Sequence, residues 1–145
     1  MTDLQGMIDE LYSDVEWQRL PVVMNEAGRR KYISRCLEQG IEMLYITIGK
    51  AAEYSRDMYT RDAAGSLLSM EYNLPVDEKR YAMLSAKIEF FRKVQTDVNN
   101  IVGYTTDALT VTNADKPYVN LAATITDLER ERRFVHYKMS RYSQL

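Results

Sequence analysis

The chain is poor in the residues that build short, loop-rich or disulfide-linked folds. It has one cysteine in 145 residues, so no internal disulfide can form, and a reducing compartment is expected. Only 6 glycines and 3 prolines are present, and this scarcity favours long helices over a β-sandwich or barrel. With 46% apolar and 28% charged residues the chain is globular, and we predict a single helical domain over 1–145.

Long apolar runs and a strong net charge are lacking as well. The uncharged run from Met43 to Gly49 is much shorter than the ~20 residues that a membrane helix needs, so no membrane contact is expected. Residues 1–18 carry five acids and no lysine or arginine, which is opposite to the basic start of a secretory signal. The net charge of −2 gives no field that recruits nucleic acid. A soluble cytoplasmic product is expected.

Residues that carry catalytic or metal chemistry are sparse. The single histidine, His136, lacks Glu-x-x-His spacing, which excludes a di-iron bundle site, and one histidine leaves little room for a catalytic triad. Gly49-Lys50 lacks the upstream glycine that a P-loop requires. Cys36 lies inside a helical pattern, and we interpret it as a small buried hydrophobe. We therefore predict no enzymatic activity, no cofactor and no metal site.

Apolar residues recur with the same spacing in two stretches of the C-terminal half. Both follow alternating steps of 3 and 4, the period of a helix whose seam faces one partner helix. The positions are Tyr81, Leu84, Ile88, Phe91, Gln95, Val98, Val102 and Thr105, then Tyr118, Leu121, Ile125, Leu128, Arg132, Val135, Met139 and Tyr142. We predict an all-α bundle built on a long antiparallel hairpin, about 78–104 and 117–142. An irregular arm at 105–116, with room for a short β-strand, joins the two helices.

The mirrored seams also predict a register for this hairpin. If Tyr81 faces Tyr142, paired residue numbers sum to 223, and Arg132 then lies against Phe91. A cation–π contact of ~0.5–2 kcal/mol is one outcome there, and contact with Glu89 or another subunit is a second. We favour a third, in which the aliphatic stem of Arg132 lies in the seam and its guanidinium lies in water.

The N-terminal half predicts two further helices. Thr2 is a candidate N-cap for the first helix, and Asn25 is one for the second. The apolar spacing of the second helix continues to Ser55 with the period of a straight helix, and its course beyond that residue stays open. Gly40 and Gly49 are interpreted as positions where a neighbouring helix approaches closely.

Charge is distributed by end, and tyrosine is abundant. Residues 1–18 carry a net charge of −5, and residues 130–145 a net charge of +4. Helix dipoles explain part of this pattern, but head-to-tail contacts between copies explain it too, and such contacts form rings or filaments. Five of the eleven tyrosines fall off the core stripes, which favours additional interfaces; they are Tyr45, Tyr54, Tyr72, Tyr104 and Tyr137. The predicted interface residues are Asp9, Glu10, Asp14, Leu109, Val111, Arg130, Arg133, Lys138, Arg141 and Tyr142.

These features together resemble the small all-α connector, adaptor or ring proteins of tailed-bacteriophage necks. The resemblance lies in the acidic first helix, the long second helix from Asn25, the hairpin from Asp77 to Tyr142 and the arm from Thr105 to Lys116. It implies a non-enzymatic virion part, assembled in the host cytoplasm as a multi-copy ring around the DNA channel. Its partners would be other copies of itself and portal, tail or neck proteins, with DNA nearby. The arm or the C-terminal segment would be the docking element.

Two alternatives from other classes stay open at this point. One is a small helical regulatory module that binds protein or nucleic acid through its basic C-terminal helix, where Arg130, Arg133, Lys138 and Arg141 lie near Tyr137. Phosphate contacts would make such binding fall steeply as salt rises. The other alternative is a helical-bundle enzyme built from Asp, Arg and Tyr side chains, which would need a closed polar pocket.

Overall fold

The structure is a computed structural model that describes the backbone of residues 1–15, 25–104 and 115–143 and the side chains of 1–15, 25–96 and 121–140. Its helices are α1 (Leu4–Asp14), α2 (Glu26–Thr47), α3 (Val76–Tyr104) and α4 (Asp115–Ser143). Three short strands, β1 (Thr2–Asp3), β2 (Tyr59–Arg61) and β3 (Leu67–Met70), form an antiparallel sheet in the order β1-β3-β2. The fold is therefore mostly helical, with one small sheet.

Helix α3 provides the central surface on which the other helices pack. Helix α2 lies along α3, α4 packs on α3 as well, and α1 contacts both α2 and β3. The largest fully buried side chains come from several of these elements and include Leu4, Leu37, Phe90 and Val135. Truncation of such a residue to alanine typically lowers the free energy of unfolding by about 2–5 kcal/mol. One core thus holds the helices and the sheet together.

Gly40 allows α2 and α3 to approach each other closely. A Cβ atom at Gly40 would lie 2.4 Å from the carbonyl oxygen of Ala82 and 2.9 Å from the amide nitrogen of Ala86. The predicted role of Gly40 is therefore confirmed. The same prediction for Gly49 is wrong, because no atom lies within 4 Å of a Cβ placed there. Gly49 instead has φ +75° directly after the C-cap of α2, the left-handed conformation with which many helices end.

The mostly helical class is confirmed, and the structure adds a small sheet that the sequence did not predict at these positions. Helix α2 ends at Thr47, and the stretch predicted to continue it to Ser55 instead contains a 3₁₀ turn over Ala51–Glu53. A second 3₁₀ turn leads into β2, and Gly65, with φ +87°, lies in the tight connection to β3. Left-handed glycines at both places stop the helix and reverse the chain. The strand considered for the arm falls on 105–114, which lies outside the described residues.

The helix caps agree with the sequence prediction at one of two positions. Asn25 caps α2, and its Oδ1 accepts a first-turn backbone N–H at 2.8 Å. The prediction for Thr2 is wrong, since Asp3 caps α1 and accepts two backbone N–H bonds. Thr2 belongs to β1, where its hydroxyl donates to the Tyr72 carbonyl at 2.6 Å and accepts the Leu74 N–H at 2.9 Å. Because Thr2 is buried, its hydroxyl must be hydrogen-bonded, and these two bonds outweigh its preference for the N-cap position.

Helices α3 and α4 run in opposite directions where their side chains meet. The rings of Tyr81 and His136 lie 6.1 Å apart, and Arg132 donates to the Ser85 hydroxyl at 3.3 Å. In each pair the residue numbers sum to 217 rather than the predicted 223, so α4 is shifted along α3 by about one heptad relative to the prediction. The guanidinium of Arg132 lies 5.9 Å from the Tyr81 ring, so its predicted place against Phe91 is wrong. A heptad shift brings an equivalent apolar seam together, so apolar spacing alone cannot select the register.

Candidate interaction surface

One face of α4 points away from α3 and carries both aromatic and basic side chains. The buried residues of α4 include Leu121, Ile125 and Val135, which share the stripe that packs on α3. Each residue rotates about 100° around a helix, so positions such as 130 and 137 fall on the opposite side. We call this side the α4 outer face; it consists of Arg130, Arg133, Phe134, Tyr137 and Lys138.

Two aromatic rings on the α4 outer face remain largely in contact with water. Phe134 is 55% exposed and Tyr137 is 63% exposed, and the two lie one helical turn apart. Single exposed apolar residues are ordinary on protein surfaces, but adjacent aromatic rings form a contiguous patch. The sequence prediction placed Tyr137 off the core stripe, and it is exposed, whereas the same prediction is wrong for Tyr45, which is 4% exposed. The prediction did not include Phe134, although its position off the same stripe is the signal that could have identified it.

The basic side chains of the α4 outer face surround the two rings. Arg130 is 72% exposed and has a loose i,i+3 ion pair with Asp127 at 3.8 Å, a separation at which a surface pair contributes little. Arg133 is exposed, and the ammonium of Lys138 lies 5.0 Å from the Phe134 ring. Arginine and aromatic residues are the types enriched at the energetic centres of protein interfaces. The face therefore has the chemistry of a docking surface.

The acidic residues predicted as interface positions on α1 lie apart from this face. Asp9 pairs with Arg30 at 2.6 Å, and Asp14 pairs with Lys87 at 2.9 Å. These ion pairs tie α1 to α2 and α3 within one chain. Glu10 is exposed on the same helix. The structure thus compensates much of the acidic charge internally.

The remaining predicted interface residues cannot be located on a surface. Leu109 and Val111 lie outside the described residues. The backbone of α4 extends to Ser143, so Arg141 and Tyr142 continue the helix, but their side chains also lie outside the described part. Of the predicted positions, Arg130, Arg133 and Lys138 are brought together on one face.

A second exposed apolar patch lies on α2, and the sequence prediction did not identify it. Met43 is 37% exposed and Ile46 is 55% exposed, and both fall off the stripe that buries Ile41 and Leu44. With Gln39 and Glu42 they form what we call the α2 outer face. A cavity of about 270 Å³ opens beside it, lined by Gln39, Glu42, Met43, Ile46, Ser85, Glu89 and Arg132. The signal was available in the spacing, since 43 and 46 break the core period.

A larger cavity lies where the end of α2 meets the start of α3 and the C-terminal half of α4. Its volume is about 530 Å³, and its polar lining includes Lys50, Glu78 and His136. Burial raises the pKa of Glu78, and the nearby Lys50 ammonium opposes that shift. Among the residues with described side chains, no group of three His, Cys, Asp or Glu residues is placed to hold a metal ion.

Two further groups have perturbed acidity for structural reasons. Burial raises the pKa of Cys36 to about 11, and the thiol is 1% exposed, so its interpretation as a buried hydrophobe is confirmed. Burial alone would raise the pKa of Glu38, but hydrogen bonds from Arg61 and Arg56 lower it below its ordinary value. These ion pairs, at 2.7 Å and 2.8 Å, fasten the segment around β2 to α2.

No protein-family model, no curated protein and no solved structure matches this chain. Within the described ranges, each helix is too short or too polar to cross a lipid bilayer. Function is therefore inferred from the exposed surfaces described above.

Proposed function

We propose that this protein is a non-enzymatic structural part of a multi-copy ring, of the head–tail connector (adaptor) type found in tailed-bacteriophage necks. In this proposal α3 and α4 form a long antiparallel hairpin that acts as a rigid frame. The protein would act in the virion after assembly in the host cytoplasm, next to portal, tail or neck proteins. The observation that carries the proposal is the pair of exposed rings, Phe134 and Tyr137, among the cations of the α4 outer face.

The size of this patch sets the strength of contact that it supports. A phenylalanine or tyrosine side chain buries about 150–250 Å², so rings that are more than half exposed each leave roughly 100 Å² for a partner. At ~25 cal/mol per Å², covering both rings favours association by about 5 kcal/mol. Loss of translational and rotational freedom opposes association by about 4–15 kcal/mol. We therefore expect each contact to be weak alone, and assembly to depend on concentration and on several contacts per copy.

A mass measurement on the purified chain tests this proposal. Native mass spectrometry or mass photometry over a range of concentrations should show species at multiples of 16.9 kDa. The double substitution Phe134→Ser and Tyr137→Ser should shift this distribution to the monomer. The matched control is the double substitution Tyr72→Ser and Val76→Ser, at residues that are 41% and 80% exposed elsewhere on the surface. This control should assemble as the unmodified chain does. A chain that stays monomeric at all concentrations, alone and with its genomic neighbours, would contradict the proposal.

The same face supports one second candidate function, the binding of nucleic-acid phosphates through the basic C-terminal helix. Arg130 and Arg133 are exposed beside Tyr137, so the face offers cations for phosphates and a ring on which a base can stack. If this reading holds, binding to a DNA fragment should fall steeply between low and moderate salt. Reversal of charge at Arg133 and Lys138 should abolish it. Unchanged DNA binding by that variant would exclude the candidate.

A further inference from the structure

We infer that the α4 outer face of one copy docks on the α2 outer face of a second copy, with an aromatic ring entering the cavity beside Met43 and Ile46. The inference rests on the proposed function and identifies the partner surface for it. It replaces the acidic first helix as the acceptor that charge distribution alone would select.

The α2 outer face offers the apolar area that the exposed rings need. Met43 and Ile46 are exposed one turn apart on α2, while Ile41 and Leu44 on the same helix are buried against the core. The cavity of about 270 Å³ lies between these two side chains and α4. Interface hot spots combine a projecting aromatic residue with a pocket that it fills, and here each half of that arrangement is present on the same chain.

The charges at the acceptor surface complement those of the α4 outer face. Glu42 is exposed on the α2 outer face, and Glu89, half-buried at the edge of the cavity, has a loose ion pair with Arg92 at 3.7 Å. The cavity is also lined by Arg132, whose guanidinium donates to the Ser85 hydroxyl within the same chain. The last turn of α2, which contains Ile46, has no basic residue and carries the negative end of the helix dipole. Arg130 and Arg133 flank the rings on the opposing face. Cations around the rings would therefore meet carboxylates around the cavity.

Helix α1 is a poorer acceptor than the α2 outer face, both in exposed apolar area and in unpaired carboxylate charge. Its carboxylates Asp9 and Asp14 already form ion pairs at 2.6 Å and 2.9 Å inside the chain. Along Leu4–Asp14, no large apolar side chain is exposed, and Leu4, Met7, Ile8 and Leu11 are all buried. Rings placed against α1 would cover little apolar area. The α2 outer face supplies the exposed apolar side chains of Met43 and Ile46 and the exposed carboxylate of Glu42.

The two surfaces lie on different helices, so the contact joins two different patches of the chain. The acceptor is on α2 and the donor is on the side of α4 opposite α3, so the same patch does not face itself across the contact. Two copies that exchange this contact reciprocally about a two-fold axis would close as a dimer, whereas an unreciprocated contact is heterologous and leaves one donor and one acceptor free at the ends of a short oligomer, as the proposed ring requires. Repetition of the contact closes into a ring or extends as a filament.

An apolar-to-charged substitution in the acceptor tests the inference directly. Ile46→Asp should raise the concentration at half-assembly by about tenfold or more, because it places a carboxylate where a ring must dock. Val76→Asp is the matched control, since Val76 is 80% exposed at the start of α3 and belongs to neither face. Far-UV circular dichroism checks that both variants keep the fold, as expected for exposed positions.

A charge swap provides the second arm of the test. Glu42→Arg and Arg133→Glu should each weaken assembly, and a chain that carries both substitutions should recover it, because every contact then pairs the exchanged charges. If the unmodified chain assembles and Ile46→Asp assembles equally well, the acceptor assignment is overturned while the proposed function stands. Species that stop at two copies would overturn the heterologous contact. A chain that never assembles overturns the proposed function together with this inference.

Discussion

At Gly40, a substitution by alanine should change the free energy of unfolding in opposite directions through helix propensity and through tertiary packing. Replacement of a mid-helix glycine by alanine stabilises an isolated helix by about 1 kcal/mol. In this fold, however, the new Cβ would lie 2.4 Å from the Ala82 carbonyl oxygen and 2.9 Å from the Ala86 nitrogen. Both neighbours are backbone atoms of α3, so rotation of a side chain cannot relieve the clash. Gly40→Ala must therefore move α2 away from α3.

The size of that movement sets the expected loss. An ordinary carbon–oxygen contact is about 3.3 Å or longer, so the helices must separate locally by about 0.9 Å. A gap of ~0.5–1 Å removes a quarter to a half of the dispersion energy between facing atoms. Overpacked core substitutions lower stability by about 1–3 kcal/mol, and the close backbone contact places Gly40→Ala near the upper end. After the gain in helix propensity, we expect a net loss of about 2 kcal/mol and a Tm lower by roughly 6 °C.

Thermal and urea unfolding followed by circular dichroism measure this loss. Gly49→Ala is the control, because a Cβ there meets no atom within 4 Å and only its φ of +75° is strained. That strain lowers stability by about 1 kcal/mol, so Gly49→Ala should be the milder variant. An unchanged or higher Tm for Gly40→Ala would show that α2 and α3 do not pack at this separation, and would refute the reasoning.

Two further predictions follow from buried polar groups. Because hydrogen bonds from Arg61 and Arg56 lower the pKa of Glu38 against the effect of burial, the stability that this carboxylate adds is present above pH 4.5 and is lost as the pH falls through the lowered value. Urea midpoints should fall more steeply below pH 4.5 in the unmodified chain than in Glu38→Gln, and parallel pH profiles would contradict this. Cys36 is 1% exposed and burial raises its pKa to about 11, so at pH 8 a thiol reagent should label it only when the chain opens, and rapid labelling of the native chain would count against its burial.

Helix positions in this fold were largely predictable, and contacts between helices were not. The periodic spacing of apolar residues predicted helices near α1, α2, α3 and α4, because helical periodicity is a property of neighbouring residues. Asn25 capped as expected, since an N-cap depends on its own turn. The register of α3 against α4 was displaced by about one heptad, because Arg132 meets Ser85 and Tyr81 and the apolar seam tolerates either alignment.

The candidate surface was predicted in part. Arg130, Arg133 and Lys138 were identified from charge at the C-terminal end, and the structure gathers them on one face of α4. The rings that give the face its apolar centre depend on which side of α4 the core covers. The spacing of α2 already places Met43 and Ile46 off the core period, but their exposure depends on α3, which covers the opposite side of α2.

The sequence by itself determined the helical class of this protein and its main helical segments, because these follow from local spacing, capping and the scarcity of glycine and proline. Only the tertiary structure decided that the chain beyond the second helix forms a sheet with β1, since Met70 pairs across to Thr2 over a long chain separation. It also decided that the acids of α1 are paired internally while the rings of α4 stay exposed. Exposure depends on what packs against a residue, and that is a property of the whole fold.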